Sequence, residues 1–377
     1  MFDFEKFVLL PLPFWLITFF IFGTIVGSFL NVCIYRIPRG ESIIFPPSHC
    51  PNCKYHIPWY LNIPLFTWLF LKGKCANCGK PISIRYFIVE FLTGCMFMLS
   101  WLCVGGTSPI LALIYSAIIS ALIVASYIDF EHYIIPDPLT LGGIIAGFIL
   151  SFLFPILHQT TSQKISLQES AIGIITGAGL LYLISRIGKM AFGKYKYECP
   201  PGETIIFSET AIETKDGNLP YDEIFYRSSD KITTLAKSAK LTLIKDDKNI
   251  NAQNVKIELT PLHLKLDNQI WETPEVKKLE ITAKTLILPR EVMGLGDVKL
   301  MGAIGAFFGW KSIIFILFTS SLIGSLVGIF LILIGKNELS SRIPYGPYIA
   351  IGAILWMFGG YYYVVNWVNH MLRPLIQ

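Results

Sequence analysis

The sequence predicts a polytopic α-helical membrane protein with about eight transmembrane helices and two parts outside the bilayer, a cysteine-bearing loop and a small β-rich insert. Three observations predict it. Hydrophobic residues make up 53% of the 377 positions and charged residues only 15%, whereas soluble domains carry about 25% charged residues. The apolar residues fall in runs long enough to cross a bilayer, which takes about 20 residues. The charge is gathered elsewhere: residues 192–290 hold 15 Lys/Arg and 15 Asp/Glu, leaving 16 basic and 11 acidic residues for the much longer remainder. That basic excess flanks membrane segments, where it reports orientation. No nucleic-acid partner is expected.

Spans are expected at 14–34, 86–104, 109–128, 139–157, 170–188, 298–310, 312–334 and 346–367. The first is long enough to cross and has no small-residue cleavage site, so it reads as an anchor and not as a removable signal. Gly105-Gly106 and Pro109 separate the second span from the third. The sixth is short, and is either tilted into a re-entrant segment or merged with the seventh, from which Trp310-Lys311 divides it. The chain thus divides into a first transmembrane helix (1–34), a four-cysteine loop (35–85), a helical block (86–191), the insert (192–290) and the C-terminal helices (291–377).

Loop charge sets the orientation. Residues 35–85 carry Arg36, Arg39, Lys54, Lys72, Lys74, Lys80 and Arg85 against the single acid Glu41, which places this loop on the cytoplasmic side. Counting spans from there puts Asp129, the insert and Asp297 on that same side. Within the insert, Lys256-Ile-Glu-Leu-Thr and Leu262-His-Leu-Lys-Leu alternate with period two, as half-buried strands do. Asp216-Gly217-Asn218 is a turn signal. His263 reads as a surface residue on a strand.

Cys50-Pro-Asn-Cys53 and Cys75-Ala-Asn-Cys78 lie 21 residues apart. Two such knuckles predict tetrahedral Zn²⁺ on four thiolates, a closed coordination sphere and hence a structural role. His49 and His56 lie nearby as spare ligands, and the plainer reading of the group is four reduced thiols without metal. Cys33, Cys95 and Cys103 fall in apolar runs and read as small hydrophobes; Cys199 stands alone in the insert.

The remaining chemistry rests on carboxylates. Asp129 ends a long apolar span in Tyr127-Ile-Asp-Phe-Glu-His-Tyr-Ile-Ile-Pro-Asp137, where neither cap chemistry nor a basic neighbour explains it. Asp137, before Pro138, reads as an ordinary N-cap with proline at the first helical position. Asp297 lies in Met293-Gly-Leu-Gly-Asp-Val-Lys299 and opens an apolar run. An ionisable group at a membrane boundary marks a functional site by default, and Gly294 and Gly296 leave room for a close approach. The plainer reading of Asp297 is an N-cap. Two carboxylates at one dry site share a proton and split their pKa values, which suits aspartic-protease chemistry. No GxSxG or HExxH motif competes.

These segments, together with Gly27-Ser-Phe-Leu-Asn-Val32, Tyr35-Arg36, Pro81-Ile-Ser83, Arg85-Tyr86 and Val89-Glu90, resemble the bifunctional type IV prepilin peptidases, the leader peptidase/N-methyltransferases of the GxGD type. The resemblance covers the whole membrane part. It implies a bacterial inner-membrane aspartic endopeptidase with Asp129 and Asp297 as its dyad, supported by Gly294, Gly296 and Lys299. It implies prepilin and pseudopilin leader segments as partners within the lipid, cut after a glycine at the cytoplasmic face. It further implies methylation of the new N-terminus from S-adenosylmethionine. Two features depart from the family pattern. Leu61 stands where an acid usually precedes Asn-Ile-Pro, which bears on methylation, and the insert before Gly294 is unusually long. The rival readings are a peptidase without methylation, a transporter using the two aspartates as an ion relay, and an inactive scaffold.

Overall fold

A computed structural model describes residues 10–200, 202–215, 217–225, 230–243, 249–291, 293–335, 343–360 and 362. The chain forms two compact units, one of residues 1–182 with 295–377 and one of residues 183–294.

Among the described residues, seven apolar helices lie in the first unit: α1 (Leu12–Arg36), α2 (Ile84–Ser100), α3 (Pro109–His132), α4 (Asp137–Leu153), α5 (Gln163–Phe192, which continues into the second unit), α6 (Leu295–Leu333) and α7 (Gly346–Leu355). Among the described residues five helical stretches are long and apolar enough to cross a membrane, while Asp137–Leu153 and Gly346–Gly360 are shorter. Most of the expected last span beyond Gly360 lies outside the described residues, as does Asp216 of the expected turn.

The helix starts follow local chemistry. Ser83 caps α2 by accepting from the Arg85 N–H, and Ser108 caps α3 by accepting from Leu111 N–H with Pro109 behind it. The sixth and seventh expected spans follow one another directly as two helical stretches of α6, separated by a kink at Gly309 (φ 73°, ψ 177°). That backbone region is open essentially to glycine alone. At 1.5 Å per residue, the part before Gly309 reaches only about 21 Å, short of a roughly 30 Å hydrocarbon core. The break therefore falls one residue before the expected Trp310-Lys311 boundary.

Helices α1 and α2 pack through Phe19, Phe97 and Trp101, with Trp15 stacked on Trp101 at 4.4 Å. The first half of α6 lies against α4 and α5 with backbone almost touching backbone. A Cβ placed on Gly173 would sit 2.0 Å from the Gly305 carbonyl oxygen, so only glycine fits this crossing. Beneath it, Ser151 donates to the Ala306 carbonyl and pairs with His158 Nε2 at 2.9 Å. Burial pushes the His158 imidazole down to about 4, so it is neutral there at physiological pH. Cys33 is buried, Cys95 half-buried and Cys103 exposed, and all three are free thiols.

The second unit is a nine-stranded antiparallel sheet in the order β4-β3-β2-β9-β5-β6-β7-β8, with β1 also paired to β9. Its strands are β1 (Lys194–Glu198), β2 (Ile205–Phe207), β3 (Ala211–Thr214), β4 (Gly217–Pro220), β5 (Ile232–Leu243), β6 (Asn249–Leu259), β7 (His263–Leu266), β8 (Gln269–Glu272) and β9 (Val276–Pro289). The period-two stretches read from sequence are β6 and β7. In β7, Leu264 and Leu266 are buried while His263 and Lys265 are exposed, the alternation a pleated strand requires. Ile205, Ile212, Leu241, Ile257, Leu264 and Ile281 lie in one apolar core.

The register of β1 on β9 pairs Lys194 with Pro289, and Arg290 N–H donates to the Gly193 carbonyl at 2.9 Å. Lys189 adds ion pairs to Asp230 (2.7 Å) and Glu291 (2.6 Å). The insert thus begins and ends at one place, as a domain set into another must. Replacing residues 194–289 with a short Gly/Ser linker is expected to leave a folded membrane unit, checked by monodispersity and melting temperature of the purified protein. An aggregated product would refute it.

Candidate active site

Asp129 lies in the last turn of α3 and Asp297 in the first turn of α6, with relative exposures of 6% and 8%. Buried carboxylates are rare and need partners. Asp129 Oδ2 accepts the Gly346 backbone N–H at 2.8 Å. After Asp129 the chain closes α3 at Tyr133 (φ 56°) and turns into Ile135.

Ile135 joins the two motifs. A Cβ on Gly296, next to Asp297, would lie 3.1 Å from Ile135 Cβ, and one on Gly346 would lie 3.1 Å from Ile135 Cδ1 and 2.7 Å from Asp129 Oδ2. One side chain therefore touches the backbone beside each carboxylate. Gly296 admits the close approach expected of it.

The structure corrects the reading of Asp137. Pro136 takes the cap position of α4 in extended conformation, Asp137 is the first helical residue, and its side chain makes no capping bond. Its carboxylate instead pairs with Lys299 Nζ at 2.5 Å. With Pro136 at the cap position, the Asp137 carboxylate is one residue too far along to accept from the first-turn N–H groups, and its ion pair links the start of α4 to the start of α6. Lys299 thus links the segment that bears Asp297 to the start of α4. Glu131 is ion-paired with Arg85 on α2. The plainer reading of Asp297 as the N-cap does not hold either, because α6 already begins at Leu295.

The four cysteines form a second centre. Cys50, Cys53, Cys75 and Cys78 place their sulfurs within 4.8 Å of one another, with Cys50–Cys78 and Cys53–Cys75 both at 3.9 Å. Tetrahedral coordination with Zn–S near 2.3 Å requires S···S of about 3.8 Å, so the cluster is compatible with a zinc site. The two knuckles fold alike: Cys50 N–H bonds to the Tyr55 carbonyl and Cys75 N–H to that of Lys80, and positive φ follows each second cysteine, at Lys54 and Gly79. A backbone hydrogen bond at Tyr55 pulls the Cys53 thiol down to about 6, and those at Cys78 and Asn77 lower Cys75. Among the described residues no histidine joins this group; His49 and His56 face each other across a backbone bridge.

Sequence reading missed Gly346, Ile135 and the Asp137–Lys299 pair. Only Tyr345-Gly346-Pro347, a glycine and proline at a helix start, offered a local signal, and it said nothing of Asp129.

Comparison with known proteins bears on both centres. Residues 21–104 match the bacterial peptidase A24 N-terminal domain, and residues 116–197 with 279–329 match the type IV leader peptidase family. The gap between the last two stretches falls within the insert. A prepilin leader peptidase/N-methyltransferase of Aeromonas hydrophila is 26% identical over 365 residues, 89% of each chain. One from Klebsiella pneumoniae is 34% identical over 181 residues, 46% of this chain and 75% of that protein. One from Myxococcus xanthus is 35% identical over 193 residues, 47% of this chain and 56% of that protein, so the match spans only about half of that relative's length. No solved structure matches. With both domain matches in chain order and a relative above 30% identity covered over three-quarters of its length, the chain belongs to the type IV leader peptidase family.

Proposed function

We propose that this chain is a membrane aspartic endopeptidase that removes the leader of type IV prepilins and pseudopilins and then methylates the new N-terminus. The enzyme is a prepilin leader peptidase with N-methyltransferase activity, the double activity that its relatives carry in their names. What supports the peptidase reading is that Asp129 and Asp297 are both buried, and that Ile135 comes close both to Gly296, which precedes Asp297, and to Gly346, which donates to Asp129. At such a site one proton is shared. The ionised carboxylate takes a proton from the attacking water while the protonated one donates to the scissile carbonyl oxygen. Lys299 stays engaged with Asp137 and so fixes the geometry of the two motifs. Cleavage is at the cytoplasmic face of a bacterial inner membrane, after a glycine, on a substrate whose own apolar segment lies in the lipid.

Cys50, Cys53, Cys75 and Cys78 hold a structural zinc. Beside that loop, in the same unit, lies a cavity of about 430 Å³ lined by Asn31, Arg36, Trp68, Lys80, Tyr86 and Glu90, among others. The Glu90 carboxylate is buried and accepts the Leu65 N–H at 2.8 Å. S-adenosylmethionine carries cationic centres, a carboxylate and an aromatic base, and this mixture of acid, bases and rings fits it. When bound it supplies an electrophilic methyl group. Leu61 lines the same cavity, which leaves Glu90 as its buried acid and is the observation favouring the competing reading, cleavage without methylation.

The test is incubation of the reconstituted full chain with a prepilin and S-adenosylmethionine, followed by mass spectrometry of the product's N-terminus. Loss of the leader with one added methyl group is expected. An unmethylated product reduces the chain to a peptidase, and an uncut substrate removes the reading altogether.

A further inference from the structure

Asp129 is held by a residue 217 positions away in sequence, Gly346. The geometry points to Gly346 as a positioning residue for cleavage, with the Tyr345-Gly346 turn tying the Asp129 carboxylate to the part of α6 beyond Gly309. This rests on the dyad reading above and extends it to a third helix. The Tyr345 hydroxyl lies 2.7 Å from Ser320 Oγ and 3.2 Å from Ser321 Oγ, both on α6. The next residue donates its N–H to Asp129 on α3. Adjacent residues thus grip the part of α6 that follows the break at Gly309 and the carboxylate of Asp129.

The contact does more than bury a polar group. With Oδ2 taken by the Gly346 amide, the carboxylate has a fixed rotamer and Oδ1 is the oxygen left for water or a shared proton. The amide also belongs to the first turn of α7, where unpaired N–H groups favour a carboxylate. Asp129 itself stands at the C-terminal end of α3, where the helix dipole opposes negative charge. Gly346 offsets that placement.

The position admits no side chain without moving the carboxylate. A Cβ there would meet Asp129 Oδ2 at 2.7 Å and Asp129 Cγ at 3.2 Å, and apart from Ile135 Cδ1 no other heavy atom is among its three nearest neighbours. The end of a side chain yields more easily than backbone. Gly346→Ala therefore shifts Asp129 at small cost to folding, and misplacement by about 1 Å costs on the order of 100-fold in rate.

The experiment compares wild type, Gly346→Ala, Tyr345→Phe and Asp129→Asn as full chains in proteoliposomes, with kcat and KM for prepilin cleavage, zinc content and melting temperature. The expected result for Gly346→Ala is a kcat lowered by roughly 100-fold with KM within about threefold of wild type and with metal and melting temperature unchanged. Tyr345→Phe keeps the amide and loses only the latch, so its kcat falls less. If Asp129→Asn is inactive and Gly346→Ala cleaves normally, the positioning role is wrong and the dyad stands. A Gly346→Ala defect that appears in KM, or only alongside a lowered melting temperature, assigns the residue to substrate binding or folding and equally overturns the proposal. Normal cleavage by Asp129→Asn would remove the dyad itself.

Discussion

Asp297→Asn is expected to reduce prepilin cleavage by roughly 10⁴-fold, and Asp129→Asn to do the same, because each removes half of one proton-transfer unit. The substitution is nearly isosteric, so packing around Ile135 is kept and the loss is chemical. The amide oxygen of Asn can still accept the Gly346 N–H, more weakly than a carboxylate, but the amide cannot share a proton with its partner. Groups that act as a unit are not additive. The double variant should therefore be no slower than the worse of the two single variants. The measurement is single-turnover cleavage with excess enzyme, alongside methylation of a pre-cut pilin peptide by the same preparations. Retained methylation with lost cleavage locates the defect at the dyad. Cleavage within about tenfold of wild type in either variant would contradict the mechanism, and lasting ion transport without cleavage would revive the transporter reading.

Removing zinc is expected to have the second largest effect, on a different part of the molecule. Between residues 37 and 88 only Cys50, Gly73 and Cys75 are buried. The segment has no apolar core to fold around, so metal binding must supply what burial does not. Structural zinc contributes an apparent 10–16 kcal/mol or so in small isolated sites, far beyond what the loop's few turns provide. Cys75→Ser should thus lose bound zinc, measured by elemental mass spectrometry. The loop should become open to limited proteolysis between Cys50 and Lys80. Methylation should fail with it, since Lys80, Trp68 and Cys75 itself line the cavity beside the loop. Cleavage should persist, because no dyad contact involves these residues. A Cys75→Ser protein that keeps both a protease-resistant loop and its methylation would mean that the four thiols stand without a structural metal.

Much of this protein is legible locally. The two knuckles sit in short segments whose own turns present the sulfurs, so a spacing of Cys-x-x-Cys predicts the cluster that the fold then closes. Alternation at 256–266 specifies strands because a pleat repeats every two residues, and β6 and β7 follow from it. Apolar run lengths predict helices for the same kind of reason. They mark the break in α6 only approximately, since nothing in a hydropathy pattern separates Gly309 from its neighbours and the choice falls to a backbone region that glycine alone enters freely.

Sequence alone nominates the residues expected to carry chemistry: Asp129, Asp297 and the four cysteines are singled out by residue type, spacing and their place at the edges of apolar runs. How those residues are held depends on contacts between distant helices. Asp137 looks like a cap until Lys299, 162 residues on, is brought beside it. Gly346 looks like an ordinary helix start until α7 delivers its amide to Asp129. Caps, knuckles and alternation depend on bonds between near neighbours, so short stretches of sequence encode them. An ion pair or an amide contact between distant helices depends on where the packing of small residues such as Gly173 and Gly305 lets those helices meet, and no local pattern records that distance.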